Sequence, residues 1–212
     1  MRVIRAAQRS VADLVREVAA CVLSGGTIIF PTETVYGIGC VPEDERAIDA
    51  LFFAKGRSAD KPLALHVADV AQATPYVEPM TPCARQAIQL LWPGPVAIIV
   101  RRRATRYARA SCGLATISLR CPDHDLCRAI LRAAGPLAAT SANASGSAPY
   151  VGLSDATTGL PAAALAVLAG PTALRQESTI IDCTGDRPIV VREGAMPASI
   201  IAQKLGTSPP VR

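Results

Sequence analysis

Short apolar runs alternate with amphipathic stretches along this chain, and glycine or proline closes most of them. The first unit spans residues 11–22, where apolar side chains at 11, 14, 15, 18, 19 and 22 follow helical spacing. Ser10 stands before them as an N-cap, and Gly25-Gly26 ends the pattern. Residues 27–30 read as a buried strand. Pro31, with a fixed φ and no amide donor, then moves the chain onto a loop carrying Thr32, Glu33 and Thr34. A helix is predicted over 43–54, with Ala47, Ile48, Leu51 and Phe52 as its apolar face, then a strand over 63–67 and a helix over 81–91. Beyond Trp92-Pro93-Gly94-Pro95 come strands over 96–100 and 115–119, a helix over 123–133, a strand over 137–139 and a turn-rich loop over 140–150. The rest reads as a helix over 162–168, strands over 179–181 and 189–191, and a helix over 196–205. This alternation predicts α/β architecture with a mixed sheet; strand order stays open.

A chain of 212 residues can bury one sizeable core, so a single domain over 5–205 is expected, with 206–212 as a flexible tail. Aromatics make up only 4%, which leaves the core to Val, Ile, Leu and Ala and argues against a surface that stacks nucleic-acid bases. Twenty-two Lys and Arg against 17 Asp and Glu favour anionic partners, without separating ATP from RNA. The densest basic stretch, Arg101, Arg102, Arg103, Arg106 and Arg109, reads either as a solvated loop or as a tRNA-facing patch. Seven cysteines occur without a CxxC pair and with only His66 and His124 to complete a mixed site. That points to free thiols in a reducing, cytoplasmic setting rather than to a disulfide scaffold or zinc. Neither a signal peptide nor a membrane span is expected.

Three polar clusters interrupt the apolar background. In the first, Thr32 could orient a small amino acid or its carboxylate, or simply bind the backbone of a turn. The second, Lys55-Gly56-Arg57 with Lys61, could neutralise a polyphosphate, or serve as a cationic helix end. It is neither a Walker loop nor a dinucleotide fingerprint. The third, Thr140-Ser141-Ala142-Asn143-Ala144-Ser145-Gly146, offers small donors and acceptors that could approach a nucleotide or make an ordinary turn. Arg120 could hold a carboxylate or carbamate oxygen. His66 could orient substrate or be structural, and His124 reads as a capping or surface group. Ser178 and Arg192 stand beside strand candidates, and no hydrolytic triad or nucleophile elbow is present.

The order of these blocks resembles the YrdC-type threonylcarbamoyl-AMP synthase family. The similar segments are Gly26-Thr27 with Phe30-Pro31-Thr32-Glu33-Thr34-Val35-Tyr36-Gly37-Ile38-Gly39, then Lys55-Gly56-Arg57 with Lys61-Pro62-Leu63 and His66. Trp92-Pro93-Gly94-Pro95, Ser118-Leu119-Arg120-Cys121-Pro122-Asp123-His124 and the 140–146 cluster follow. Glu177-Ser178-Thr179-Ile180-Ile181-Asp182 and Arg192-Glu193-Gly194 complete the series. The resemblance implies a twisted mixed sheet with flanking helices and a concave basic active face. It implies an enzyme that joins L-threonine, bicarbonate or CO2 and ATP into L-threonylcarbamoyladenylate, releasing pyrophosphate. A tRNA threonylcarbamoyltransferase would then carry the group to adenosine 37 of tRNA, with direct tRNA binding open. Matched position by position, Thr32, His66, Arg120 and Ser178 would serve threonine or the carbamate. Lys55, Arg57, Lys61, Thr116, Ser141, Asn143 and Arg192 would serve ATP, with Lys55 and Arg57 stabilising charge on the departing pyrophosphate. Mg2+ would arrive with ATP, and no protein-owned metal site is expected. The alternatives are an RNA-binding module without adenylation, or another carbamoyl-adenylate-forming enzyme.

Overall fold

The computed structural model describes residues 1–58, 60–152, 162–207 and 210. Its strands are β1 (Arg2–Arg5), β2 (Ile28–Phe30), β3 (Gly37–Cys40), β4 (Ala64–His66), β5 (Val96–Arg101), β6 (Thr116–Arg120), β7 (Leu137–Ser141), β8 (Leu165–Leu168), β9 (Thr179–Asp182) and β10 (Ile189–Arg192). They form one ten-stranded mixed sheet in the order β1-β8-β2-β3-β7-β4-β6-β5-β9-β10. The α/β expectation therefore holds.

Among the described residues, six α-helices flank the sheet: α1 (Val11–Leu23), α2 (Glu45–Lys55), the short α3 (Val70–Ala73), α4 (Pro82–Leu91), α5 (Asp125–Ala134) and α6 (Ala198–Leu205). Side-chain caps start most of them. Ser10 accepts from the Asp13 amide, Asp44 from Ala47, and Thr81 from Ala84. Each cap satisfies an otherwise orphaned amide of the first turn. His124 does the same for the Cys127 amide at 3.3 Å, in keeping with its capping reading. At the end of α2, Gly56 adopts φ +56°, a left-handed turn that releases the chain toward Arg57.

Alternation along the strands sorts side chains to two faces. On one face, Ile29, Ile38, Leu65, Ile98, Leu119 and Ile181 join the apolar sides of α2, α4 and α6. On the other, Ile28, Phe30, Leu137 and Val167 pack beneath α1 and α5. Each fully buried Leu or Ile contributes roughly 1.5–3 kcal/mol through removal from water. The helices α1 and α5 pair with each other and leave the β4–β10 part of their face uncovered by helix. That unevenness creates the cleft described below.

Two local expectations are corrected. Residues 162–168 were predicted helical, yet Leu165–Leu168 form β8, fully buried between β1 and β2. A short Ala/Leu run cannot declare its period, and a central position in the sheet overrides its helical propensity. The strand over 137–139 continues to Ser141, because β3 pairs with it as far as Gly37 opposite Ser141. Hence Thr140 and Ser141 stand on a strand rather than in a loop. Strands β1 and β3, and helix α3, are additional to the sequence reading. In the predicted tail, the Pro210 carbonyl accepts from the Val190 amide of β10 at 2.9 Å.

Candidate functional site

The uncovered face holds a cleft of about 220 Å³. Strand parity supplies most of its lining: Ala64 and His66 from β4, Ser118 and Arg120 from β6, Ala97 and Ile99 from β5, Ile180 from β9 and Val191 from β10. Gly37 of β3, Ala139, Thr140 and Ser141 of β7, and Thr32, Val35, Tyr36, Arg57, Pro62, Glu177, Ser178 and Arg192 complete the walls. Strands β4 and β6 run parallel with Ala64 beside Ser118 and His66 beside Arg120. Pro62 lies two residues before this strip, within roughly 14 Å of His66 at full chain extension.

The His66 end forms the floor. There His66 Nδ1, Ser118 Oγ and Arg120 Nε are buried without a hydrogen-bond partner. Leaving such groups unpaired costs on the order of 1–3 kcal/mol each, and all three side chains border the cleft, where a polar ligand could complete their bonding. Burial, reinforced by the Arg120 charge, pushes the His66 pKa down to about 3. Its imidazole is therefore neutral and edge-on to the Phe30 ring at 5.9 Å. Behind the floor, Arg120 Nη2 lies 2.9 Å from Glu33 Oε2, and both side chains are buried. The contact is misaligned, and neither carboxylate oxygen makes a hydrogen bond. Arg120 Nη2 also donates to Thr34 Oγ1 at 2.7 Å.

A proton inventory continues that chain. Thr32 donates its hydroxyl proton to the Val35 carbonyl at 2.6 Å and accepts from the Thr34 amide at 3.2 Å. Its 2.9 Å contact with Thr34 Oγ1 must then run from Thr34 to Thr32. Thr32 lines the cleft, but its hydroxyl is fully used in fixing the 31–36 turn. Tyr36 is fixed likewise: its hydroxyl donates to the Gly170 carbonyl at 2.6 Å and accepts from the Ala169 amide at 3.0 Å.

The Pro62 end is cationic. Arg57 donates from Nε and Nη2 to the Lys61 and Pro62 carbonyls, both at 2.9 Å, and makes no ion pair among the described residues. Burial is the main cause of a lowered Arg57 pKa. Arg192 pairs with Glu177 at 3.1 Å and donates to the Ser178 carbonyl at 2.8 Å. Gly194 packs so closely on this corner that a Cβ would fall 2.3 Å from the Glu177 carbonyl.

The remaining expected site residues lie outside the cleft lining. Lys55 is buried, and its ammonium holds the Ser141 and Asn143 carbonyls, the latter at 2.6 Å. Burial drives its pKa down to about 8. Asn143 is also buried, its amide donating to the Ala144 and Ser147 carbonyls at 3.1 and 2.6 Å. Lys61 is exposed and meets Arg57 only through its carbonyl. Thr116 shares the strand parity of Ser118 but lines a neighbouring depression with Glu78, Arg101 and Thr184. Of the five clustered arginines, Arg102 is buried against four carbonyls, Arg103 bonds the Pro75 carbonyl, and Arg106 and Arg109 pair with Glu43 and Asp49. Among the described residues, Arg101 and Arg103 of that group are exposed without an ion pair. Glu177 and the Glu33–Arg120 contact were not anticipated from the sequence. Among the described residues, no cluster of three or more His, Cys, Asp or Glu is arranged to hold a metal, and no helix is long and apolar enough to cross a membrane.

Fold and cleft together define an α/β protein with one uncovered sheet face, polar and unsatisfied at its floor and cationic at its other end. The Sua5/YciO/YrdC family model, described as Telomere recombination, matches residues 20–194, and the chain belongs to that family. A Bacillus subtilis threonylcarbamoyl-AMP synthase is 32% identical over 195 residues, covering 91% of this chain and 56% of that protein. A Mycobacterium tuberculosis relative is 36% identical over 184 residues, covering 86% of this chain and 85% of its own. The Pyrococcus abyssi Sua5 structure complexed with L-threonine superposes with a TM-score of 0.89 at 29% identity, covering all of this chain and 62% of that one. The chain thus spans little more than half the length of the Bacillus relative.

Proposed function

We propose that the chain is an L-threonylcarbamoyladenylate synthase. It uses L-threonine, bicarbonate or CO2 and ATP, and releases pyrophosphate. The observation that carries this reading is the two-ended cleft: unpaired His66, Ser118 and Arg120 atoms at one end and the unpaired cation of Arg57 at the other. Relatives named threonylcarbamoyl-AMP synthase, and a family structure holding L-threonine, support it.

In this reading the floor holds threonine, with Ser178 on the adjoining wall and the carbamate directed toward the Arg57 end. Arg57 and Arg192 take the phosphates beside Ser141, while Lys55 and Asn143 hold the 141–147 backbone in shape. The amine of threonine, once deprotonated, attacks CO2. A carbamate oxygen then attacks the α-phosphorus of ATP, and the bond to the pyrophosphate oxygen breaks. Arg57 meets the charge that develops on that leaving group. His66 orients rather than deprotonates, because a group titrating near 3 is a weak base at neutral pH. Catalysis then rests on positioning and electrostatics, with no covalent intermediate on the protein. Mg2+ enters with ATP, coordinated by phosphate oxygens and water; Glu177 and Glu33 are already engaged by arginines. The product would pass to a tRNA threonylcarbamoyltransferase acting on adenosine 37 in the cytoplasm. An RNA-binding role alone has less support, since four of the five clustered arginines serve the chain itself.

The test is pyrophosphate release from Mg-ATP by the purified protein. Release should require both threonine and bicarbonate and fall to background when either is omitted. Release that ignores threonine, or none at all from folded protein, would refute the assignment.

A further inference from the structure

We propose that Glu33 sets the specificity of the cleft floor: by neutralising Arg120 from behind, it confines phosphate to the Arg57 end and leaves the floor to a zwitterionic amino acid. This deepens the reading above and rests on it for the identity of that amino acid.

The placement of charge carries the inference. Arg120 lines the cleft, whereas Glu33 does not. Their side chains are only 5% and 7% exposed and approach to 2.9 Å, so Arg120 reaches the floor already compensated. A compensated guanidinium can still donate hydrogen bonds, and its Nε has none. Its charge is offset in large part by Glu33, leaving little to repay the desolvation of a phosphate dianion. A zwitterion brings no net charge, so its entry leaves no uncompensated charge on the floor, and its two ends are desolvated against hydrogen-bonding groups there. At the other end Arg57 spends its hydrogen bonds on two carbonyls and keeps its charge. Polyphosphate is thereby drawn to one end and refused at the other, although both present an arginine. The misaligned contact fits this role: Glu33 neutralises Arg120 without accepting a hydrogen bond from it.

Titration calorimetry with inorganic phosphate, followed by threonine competition, tests the proposal without turnover. In the wild-type chain, phosphate affinity should fall about tenfold or more in Arg57→Met and shift less than about twofold in Arg120→Met. Glu33→Gln should gain phosphate binding at the floor, about tenfold or more over the wild-type chain, and threonine should compete for it. The double variant Glu33→Gln/Arg120→Met should lose that gain. Wild-type phosphate binding that depends on Arg120, or a folded Glu33→Gln without the gain, overturns the proposal. Should Glu33→Gln fail to fold, the Arg57 and Arg120 comparison decides. A wild-type chain that binds phosphate at Arg57 but no threonine would instead refute the substrate reading.

Discussion

His66 and Arg120 stand side by side on neighbouring strands, and burial together with the Arg120 charge keeps the imidazole neutral. The imidazole is buried and its pKa falls from 6.5 to about 3, chiefly through burial and then through Arg120. Between those values the unfolded chain binds a proton that the folded one refuses. Stability is therefore full above about pH 6.5 and declines as pH falls toward 3, by at most about 1.4 kcal/mol per unit from this residue. Urea denaturation across that window should show the wild-type chain losing ground to His66→Gln; parallel curves would contradict a buried neutral imidazole. At this scale most of the site residues named from the sequence line the cleft: Thr32, Arg57, His66, Arg120, Ser141, Ser178 and Arg192 do, whereas Lys55, Lys61, Thr116 and Asn143 do not. The sequence could not reveal that the Thr32 hydroxyl is fully engaged, because that depends on the turn bringing Thr34 and Val35 back to it. Nor could it pair Glu33 with Arg120, which lie 87 residues apart in sequence and meet only through the folded sheet.

Lys55 joins two elements. From the last residue of α2 its side chain holds the segment leaving β7, and the Ser145 amide returns a bond to the Lys55 carbonyl at 2.9 Å. Its effect on ATP should thus be felt through the 141–147 backbone as well as through charge. Replacing it by Met strands two buried carbonyls and should cost about 2 kcal/mol of stability. The ATP KM should rise about tenfold while that for threonine stays within about twofold. Lys55→Arg should not restore either value, because a planar fork does not fit a pocket shaped for a point donor. Unchanged stability in Lys55→Met, measured by equilibrium denaturation beside steady-state kinetics, would contradict this linkage. Elements with a cap and a clear period were legible, as Ser10 and α1 illustrate. β8 was not, since its four residues are buried on both faces and their alternation carries no polar mark. Glycines masked β3, whose Gly37 and Gly39 leave room for the Phe30 ring where a Cβ would meet it at 2.9 and 3.2 Å.

For the whole molecule, α/β composition was readable from alternation, whereas strand order was not. β1 pairs with β8 across most of the chain, and β5 with β9 across a long connection. Such pairings are decided by packing rather than by local pattern. The decisive architectural fact is the incomplete cover of one sheet face by α1 and α5, because it leaves His66, Ser118 and Arg120 open to a ligand. If that cleft joins threonine to a nucleotide, the adenylate itself must form. Mass spectrometry of a reaction containing L-threonine, bicarbonate and Mg-ATP should detect threonylcarbamoyl-adenylate, with the signal lost when any one substrate is omitted. Folded protein that yields no such species, or yields it without threonine, would contradict the account.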